Sequence, residues 1–462
     1  MSLMFVGLLF AQMPMLPMPV AQVPVAAKPE VVRPYEVRSL PGQLDNFRVF
    51  NSNSPELVTE EGILLSTFPP TSKKSPGAHL NFPLEGRFDI FAHHVSRSRI
   101  TERQGPLYMA IVLHNPTSRP IRLLTLQATS YLNDQAPFID LPAHADNRSG
   151  RVYSGPGSRA MSDVLRRQRQ SGWDVGVTLE PGQSHLLVNL PIAEQSGTAR
   201  STWMRLYSNG KLYAASLAKF ARPDGRGGFQ APQLSDWLAL LANGDLAQPR
   251  DRAPTPLNAN QGEFIYGRVA GISQGSEWQA KITDADDSSH LNIPQPGEGI
   301  AYVINSLDRG TLGTGQVQSA EMLARYPDTA YRAHGNYAVK YDLEVPLHNP
   351  HAHPRQVTLA LQTPIKEDRL SQGGLRFLTT TDGPIFFRGT VRVRYTDAQG
   401  QEQQRYVHLV QRRGQMAEPL LTLTLPPQQT QPVRVELLYP PDATPPQVLT
   451  IRTLDDSLKS ER

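Results

Sequence analysis

The chain has 462 residues, more than one hydrophobic core usually serves, and its 41 prolines and 34 glycines favour short strands joined by turns over long helices. It contains no cysteine, which excludes disulfides, thiolate metal sites, iron–sulfur clusters and cysteine nucleophiles. The formal net charge of +4 suits contact with anionic surfaces, whereas an aromatic content of only 7% and the lack of a reader motif disfavour nucleic acid.

The first 27 residues are typical of a signal-peptide-like leader. Residues 3–10 form an apolar run, and small and proline-rich sequence follows as far as residue 27. This run is too short for a transmembrane helix, and no later segment is apolar enough, so no membrane span is expected after the leader. We therefore expect an exported protein of the periplasm or outer cell envelope, or an extracellular one.

The first half of the chain reads as a β domain preceded by an extended segment. Residues 28–78 predict a proline-rich lead-in, and residues 79–246 predict a first sandwich domain. Within it, the apolar runs 107–114 and 121–129 flank a polar turn and predict a hairpin. Two further strand–turn–strand units are predicted at 174–190 and, around an Asn-Gly pair, at 202–216.

Two short helices and a linker interrupt this strand pattern. Helices are predicted at 161–170 and 234–242, each ending in residues that suit a helix C-terminus. Residues 247–261 are polar and carry prolines, which indicates a linker. Residues 262–456 then predict a second sandwich domain.

The second half contains the clearest alternation in the sequence. Residues 391–395 (VRVRY) predict a strand that pairs with 405–410, so Arg392 and Arg394 share one face while the valines face a core. Strands at 420–425, 433–438 and 448–451 are expected to close the domain in the same rhythm.

An internal echo links the two halves. Leu113-His114-Asn115-Pro116 recurs as Leu347-His348-Asn349-Pro350, each followed by a second proline and an apolar strand. Each half also carries a later strand–proline turn–strand unit. We therefore predict an all-β fold of two immunoglobulin-like or related antiparallel β-sandwich domains with one or two short helices.

The likeliest contact surface in this pattern is a set of arginine-bearing strand faces. Arg392 and Arg394 form one pair, and Arg412 and Arg413 form another. Guanidinium groups grip carboxylates and phosphates bidentately, so these residues are candidate contacts for an anionic polymer or a partner protein. Solvation of an ordinary surface is the alternative interpretation.

A second candidate is a glycine-rich turn before the first predicted helix. Backbone N–H groups of Ser154, Gly155, Gly157 and Ser158 would be free to hold an anion at a helix N-terminus. The lysine of a phosphate-binding loop is missing, and simple capping of the helix by Ser158 is the alternative.

Catalytic and metal motifs are weaker. Ser273 lies in a G-x-S-x-G pattern, but no helix follows it, so an ordinary glycine-rich turn is favoured over a hydrolase elbow. His348, His351 and His353 are candidate metal ligands on an expected hairpin tip, without an anchoring carboxylate pair. An acidic loop from Asp284 lacks calcium-loop spacing. No cofactor or catalytic residue is predicted.

Several strings together resemble a known family. They are LPGQLD at 40–45, VFNSNSP at 49–55, GILLSTFPP at 62–70, AHLNFPLEGRFDIFAHHV at 78–95, YGRVAG at 266–271, YPDTAY at 326–331, FFRGTVRVRY at 386–395 and YVHLVQRRG at 406–414. The chain resembles a cyanobacterial family of exported proteins classified only as a domain of unknown function. The resemblance implies an envelope or extracellular location and supplies no activity.

These observations favour a non-catalytic envelope protein that binds an anionic polymer or a partner protein. The alternative is a hydrolase acting on an envelope polysaccharide or peptide, with Ser273 or an unplaced carboxylate pair as the reacting group. The two differ in one observable feature, because a hydrolase needs a cleft that gathers perturbed acidic groups. The oligomeric state stays open.

Overall fold

A computed structural model describes residues 28–455 apart from 98–104, 194–196, 260 and 398. The predicted leader lies outside the described residues. The chain is mostly β, as the sequence predicts. The first half contributes these strands: β1 Glu30–Arg33, β2 Glu36–Arg38, β3 Gln43–Leu44, β4 Arg48–Ser52, β5 Leu57–Val58, β6 Gly62–Ser66, β7 Leu84–Ser96, β8 Leu107–His114, β9 Ile121–Leu132, β10 His144–Asp146, β11 Gly176–Leu179, β12 Ser184–Ala193, β13 Ala199–Phe220, β14 Arg222–Pro223 and β15 Phe229–Gln230.

Helices are few and short. A 3₁₀ turn spans Pro76–Ala78, α1 spans Pro156–Leu165 and α2 spans Leu234–Asn243. The second half contributes β16 Ala270–Gln274, β17 Glu277–Lys281, β18 Leu291–Asn292, β19 Gly299–Ile304, β20 Ala320–Arg325, β21 Arg332–Ala333, β22 Lys340–His348, β23 Arg355–Gln362, β24 Leu375–Leu378, β25 Ile385–Thr396, β26 Glu402–Arg412, β27 Leu421–Leu425, β28 Thr430–Leu438 and β29 Gln447–Thr453. No helix among the described residues is long and apolar enough to cross a membrane.

Strand β13 organises the first half. It is 22 residues long; its first part pairs with β7 and β9, and its second part pairs with β8 and β6. The two groups of strands therefore face each other while sharing one strand. Their inner side chains, which include Phe88, Met109 and Leu206, form a buried core between them.

Most strands of the second half lie in two separate sheets. An eight-stranded sheet has the order β10-β26-β25-β28-β22-β17-β3, with β18 added to β22, and a five-stranded sheet has the order β2-β19-β29-β23-β27. Leu343 and Val435 of the larger sheet lie in one buried cluster with Leu359 and Ile451 of the smaller one. The two sheets therefore enclose the largest core of the molecule.

The predicted hairpin at 107–129 is wrong, and the two strand–turn–strand units that follow it are not hairpins either. Strand β8 pairs with β12 and β13, whereas β9 pairs with β11 and β13, so the connection at 115–120 crosses from one layer to the other. The connection between β11 and β12 crosses back in the same way. A polar turn fixes where a chain reverses, and it leaves open which layer the next strand joins.

The third of these units is a single strand. Asn209-Gly210 predicts a two-residue turn, but β13 continues through it with a register shift between Ser208 and Leu212. The Asn209 carboxamide oxygen accepts a bond from the backbone N–H of Arg122 at 2.7 Å, and Ser208 Oγ donates to the carbonyl of Gly210 at 2.7 Å. The polar residues therefore form a bend at which β13 passes between layers.

The β25–β26 hairpin is confirmed. Val391 lies opposite Val407 and Arg392 opposite Tyr406. Val391 and Val393 lie in the buried core, so the two arginines point to the opposite face of the sheet.

Strand pairing crosses the predicted domain boundaries, which stay a prediction. In the lead-in, β1 pairs with β24, β2 with β19 and β3 with β17. In the other direction, β16 pairs with β4, and β20 and β21 extend the same sheet. Each half is thus completed by strands from the other part of the chain.

Helix α1 lies between the halves. It starts at Pro156, five residues before the predicted start, because proline is tolerated in the first turn, where its missing N–H has no helical partner. Met161 and Val164 of the helix pack with Trp203 of the first half and Leu438 of the second. The helix ends before Arg167, which adopts a left-handed φ of 60°. The packing of α1 therefore fixes the polar surface beside it.

Candidate functional site

The candidate site is the polar face of the eight-stranded sheet, meaning the side chains that point away from its core on β17, β22, β28, β25 and β26. Strand register arranges them in three rows. Row one contains Glu277, Lys340, Leu438, Thr390 and His408. Row two contains Gln279, Asp342, Glu436, Arg392 and Tyr406. Row three contains Lys281, Glu344, Arg434, Arg394 and Gln404. Row one lies against the first half, and row three lies at the far end of the strands.

Glu436 is the centre of the ionic network on this face. Its carboxylate accepts two bonds from Arg392, at 2.8 and 2.6 Å, and one from Arg394 at 3.0 Å. Lys340 Nζ lies 3.2 Å from its other oxygen. Burial raises the pKa of Glu436, but the hydrogen bond and charge of Arg392 outweigh it, so the pKa is lowered and the side chain is a carboxylate.

Asp342 holds the neighbouring position in row two. It accepts bonds from Arg434 Nη2 at 2.6 Å and from Lys340 Nζ at 2.7 Å. Lys340 thus bridges two buried carboxylates. The result is a rigid lattice in which cations and carboxylates alternate across the strands.

The first half adds a second charged group to row one. Arg205 donates to Asp89 at 3.0 and 2.9 Å and to Glu277 at 2.7 Å, so one guanidinium joins a carboxylate from each half. Arg87 donates to Ser276 at 2.8 Å and to Glu277 at 3.3 Å. This network fixes β17 against β7 and β13.

The pKa values of the two carboxylates joined by Arg205 are shifted in opposite directions. Burial raises the pKa of Asp89, and the hydrogen bond from Arg205 only partly opposes it. Burial also acts on Glu277, but the charges of Arg205 and Lys340 outweigh it and lower its pKa. Glu277 lines a cavity, whereas the Asp89 side chain is only 1% exposed and lies behind Arg205. The pair therefore lacks the access that a catalytic acid and base need.

A cavity of about 440 Å³ opens where row one meets α1. Its walls carry four cations, Arg167, Arg205, Lys340 and Arg392, and one carboxylate, Glu277. Leu126 and Gln127 of β9 and Val164 and Leu165 of α1 complete it. The side chain of Arg167 is exposed and forms no hydrogen bond or ion pair with the other described residues. The cavity is thus cationic, with one guanidinium free to bind.

The predicted arginine pairs lie in different places. Arg392 and Arg394 are on the polar face, but both are bonded to Glu436, and Arg392 is only 7% exposed. Arg412 lies opposite Ile385 at the other end of the β25–β26 hairpin, where it donates to the carbonyl of Gly383 at 2.6 Å. Arg413 is exposed beside it. The two pairs therefore do not form one surface.

The glycine-rich turn before α1 is closely packed. Ser158 Oγ donates to the carbonyls of Ser154 and Gly155, at 2.8 and 3.1 Å, and accepts from the backbone N–H of Ser154 at 3.0 Å. A Cβ on Gly155 would lie 2.1 Å from Phe138, and one on Gly157 would lie 2.3 Å from Pro441. Both serines are buried, and the hydroxyl group of Ser158 makes these internal contacts.

The three histidines do not converge. His348 Nδ1 lies 2.9 Å from Thr430 Oγ1, and its ring lies 4.4 Å from that of His290. His353 contributes its backbone carbonyl to Asn349, and the backbone N–H of His351 donates to the same residue. Within the described ranges, no group of three or more His, Asp or Glu side chains is arranged to hold a metal ion.

Ser273 lies in the middle of β16, between two antiparallel partners, and its side chain is buried. The strand-to-helix elbow that would activate it is absent from residues 261–297. In the acidic loop, Asp284 caps the backbone N–H of Asn292 at 3.1 Å and its carboxamide at 2.7 Å. Both motifs therefore serve local structure.

Most of the cavity residues are not among those predicted from the sequence. Arg205, Glu277 and Lys340 are far apart in the chain, and single charged residues carry no motif. The usable signal is alternation: β22 and β28 each place charged residues two apart between apolar ones, as β25 does, and β17 alternates polar residues with apolar ones. Four such strands predict one charged face only once their pairing is known.

Comparisons with known proteins identify a family and no function. A family model described as "Protein of unknown function (DUF3370)" matches residues 35–453. No curated protein matches the sequence.

Matches to solved structures are weak. Lac15 from a marine microbial metagenome is 11% identical with a TM-score of 0.12, over 90% of this chain, which spans 64% of that one. The 11S allergen of Cocos nucifera is 10% identical with a TM-score of 0.12, over 80% of this chain and 81% of that one. Bacillus subtilis oxalate decarboxylase is 10% identical with a TM-score of 0.10, over 90% of this chain and 79% of that one.

Proposed function

This chain belongs to the DUF3370 family, and we propose that it is a non-catalytic binding protein of the cell envelope whose ligand is an anionic polymer. The observation that carries the proposal is the cavity between α1 and row one. Four cations line it against a single carboxylate, and one of them, Arg167, has its whole guanidinium free. A cavity of this kind favours an anionic group over a neutral one.

The paired cations of the cavity also retain donors. Lys340 has three N–H groups; one of them donates to Asp342, and the Glu436 carboxylate lies 3.2 Å from Nζ as an ion pair. Arg205 has five, and its bonds to Asp89 and Glu277 take three. Because the carboxylates hold these side chains in place, a ligand would meet donors that are already oriented, which lowers the entropy cost of binding.

We infer an envelope location and the cyanobacterial origin of the family from sequence resemblance and from the leader-like residues 1–27. We also infer that each half is an immunoglobulin-like or related sandwich, since facing layers enclose a core in both. Fractionation of the native host, with mass spectrometry of the mature N-terminus, tests the location. Recovery of an uncleaved cytoplasmic chain would remove the envelope from the proposal.

Affinity electrophoresis tests the binding function directly. The purified chain should be retarded by polygalacturonate in the gel and not by dextran, and the retardation should weaken as salt increases. Arg167→Glu should reduce affinity for polygalacturonate about tenfold, because it removes one of the four cations and adds a second carboxylate to the cavity. Arg169→Glu makes the same change two residues away, outside the cavity lining, and should have little effect.

Three outcomes would contradict the proposal. Equal retardation by dextran, or no retardation by polygalacturonate, would show that the ligand is not an anionic polymer. An equal loss of affinity in both arginine variants would show that binding depends on the net charge of the protein and not on the cavity. Release of reducing ends from polygalacturonate during incubation would instead support the hydrolase alternative.

A further inference from the structure

We propose that the ligand is a uronic-acid-containing polysaccharide that lies along a trough running from the cavity to row three of the polar face. The inference rests on the proposed function, because the cavity beside α1 is one end of the trough. It adds the class of the polymer, its path and the residues that hold its far end.

Two further cavities continue the first one. A cavity of about 250 Å³ is lined by Gln279, Lys281, Asp342, Glu344 and Arg434. A cavity of about 460 Å³ shares Glu344 and Arg434 with it and extends to Arg394, Tyr395 and residues 402–404. The first of these begins at Gln279 and Asp342 of row two. The neighbouring residues of row one on the same strands, Glu277 and Lys340, line the cavity beside α1. The three cavities therefore follow one another over the sheet, and the second and third share two lining residues.

The path is long. Row one and row three are four residues apart along β22, which corresponds to about 13 Å before the cavities at either end are added. From there the third cavity extends across the sheet from β22 to β26. A monosaccharide fills only one of these cavities, so the trough suits an extended chain of several units.

The chemistry of the trough changes along its length. Its first cavity is cationic and suits a carboxylate. Row three contains three cations, one carboxylate and one amide, and four of these five side chains are exposed. In order across the strands they are Lys281, Glu344, Arg434, Arg394 and Gln404. Interspersed donors and acceptors of this kind match hydroxyl groups, each of which donates one bond and accepts others.

A protein partner fits the trough less well. The centre of a protein interface is depleted in charged residues and enriched in aromatic ones. Row three carries no apolar side chain; of the apolar residues that border it, Tyr395 and Val433 pack in the core, and Pro432 is exposed. A polyphosphate chain fits the first cavity, but Glu344 and Glu402 at the far end would repel it. A sugar polymer with spaced carboxylates satisfies both ends.

The test measures affinity against chain length by isothermal titration calorimetry, using galacturonic acid dimers and octamers with the full chain. Affinity for the octamer should exceed that for the dimer by at least about tenfold. Gln404→Ala should reduce octamer affinity several-fold and leave dimer affinity unchanged, because a dimer fills only the first cavity. Gln401→Ala, on the same hairpin and outside the cavity lining, is the matched control. Hexametaphosphate is the comparison ligand.

The outcomes separate this inference from the proposed function. If dimer and octamer bind equally, and Arg167→Glu still weakens both, the anion cavity stands and the trough is wrong. If Gln404→Ala and Gln401→Ala behave alike with the octamer, the far end is not a contact. If neither oligomer binds, both proposals fail. Tighter binding of hexametaphosphate than of the octamer would overturn the assignment to a polysaccharide.

Discussion

Asn115 and Asn349 make the same hydrogen bonds in the two halves of the chain. The Asn115 carboxamide donates to the carbonyls of Arg119, Leu179 and Glu180, at 2.8, 2.9 and 3.1 Å. That of Asn349 donates to His353, Leu425 and Pro426, at 3.0, 2.9 and 3.2 Å. Each asparagine directly follows the last residue of a strand, and its bonds join two connections that are distant in the sequence.

Removing either asparagine should destabilise its half. In Asn115→Ala or Asn349→Ala, three buried or partly buried carbonyl oxygens lose their donor, so we expect a loss of about 2–3 kcal/mol from each. Aspartate is nearly isosteric but lacks the donor hydrogens, and it should be no better than alanine. Urea unfolding monitored by tryptophan fluorescence measures both effects.

Asn243→Ala is the control for that pair. Its carboxamide bonds a single carbonyl, Ala239, at 3.1 Å, and it is exposed at the end of α2, so its cost should stay within about 0.5 kcal/mol. Loss of stability in only one of the two variants would show that the Asn115 and Asn349 connections are not energetically equivalent.

The sequence repeat was visible before the structure, but its meaning was not. Leu-His-Asn-Pro occurs twice, and alternation also located β25 and β26. The asparagine was interpreted as part of a hairpin turn, because a local sequence cannot show that its partners, Leu179 or Leu425, lie more than 60 residues away. Layer assignment depends on such long-range bonds.

The candidate site was predictable only in fragments. Arg392 was identified from alternation on its own strand, and its location on the polar face follows from that pattern. Its partner Glu436 lies 44 residues away, and the cavity also needs Arg205 from the other half. Charge pairing across strands decides which arginines are free, so a free Arg167 and a bonded Arg392 look alike in the sequence.

Glu436→Gln should be strongly destabilising. Three cations, Arg392, Arg394 and Lys340, lie around this buried carboxylate, and breaking a buried ion pair on one side typically costs about 3–5 kcal/mol. Glu344→Gln makes the same change on an exposed side chain of the same face and should cost less than about 0.5 kcal/mol. Thermal unfolding in low salt compares the two.

A double variant separates charge pairing from packing at this position. Arg392→Met combined with Glu436→Leu removes both charges and keeps similar volume, so it should be more stable than Glu436→Gln alone. An equal or larger loss in the double variant would mean that the shape of the pair, and not its charge balance, stabilises the sheet.

Asp442 should make stability rise as the solution is acidified from pH 7.5 to 5. Burial raises the pKa of Asp442 to about 6, Arg388 opposes the rise and Glu56 adds to it. An acid with a raised pKa destabilises the folded state when charged; that cost begins to fall as the pH drops through the folded pKa and is gone only below the ordinary value of 3.8. With an ordinary value of 3.8, the cost at neutral pH is roughly 1–3 kcal/mol.

Asp442→Asn tests this dependence. The variant should be more stable than the parent at pH 7.5, and this advantage should fall to roughly half at pH 5, as measured by urea unfolding at the two values. Other buried carboxyl groups also titrate, so the informative quantity is the difference between variant and parent. Asp287→Asn, on an exposed loop, should leave the pH profile unchanged. A difference that does not depend on pH would show that Asp442 is not the group responsible.

Gly157→Ala should destabilise the protein even though alanine is the better helix former. Inside a helix the exchange usually gains about 1 kcal/mol. Here the new Cβ would lie 2.3 Å from Cγ of Pro441, so α1 must shift away from the second half, and overpacking of this kind costs about 1–3 kcal/mol. Because Val164 and Leu165 of α1 also line the cavity, affinity for polygalacturonate should fall with stability.

Gly77→Ala is the matched control, since a Cβ there meets nothing within 4 Å and the substitution should be neutral or stabilising. A stabilising Gly157→Ala, measured by the same unfolding assay, would mean that α1 does not approach Pro441 closely in solution, and the helix would then be free to move at the wall of the cavity.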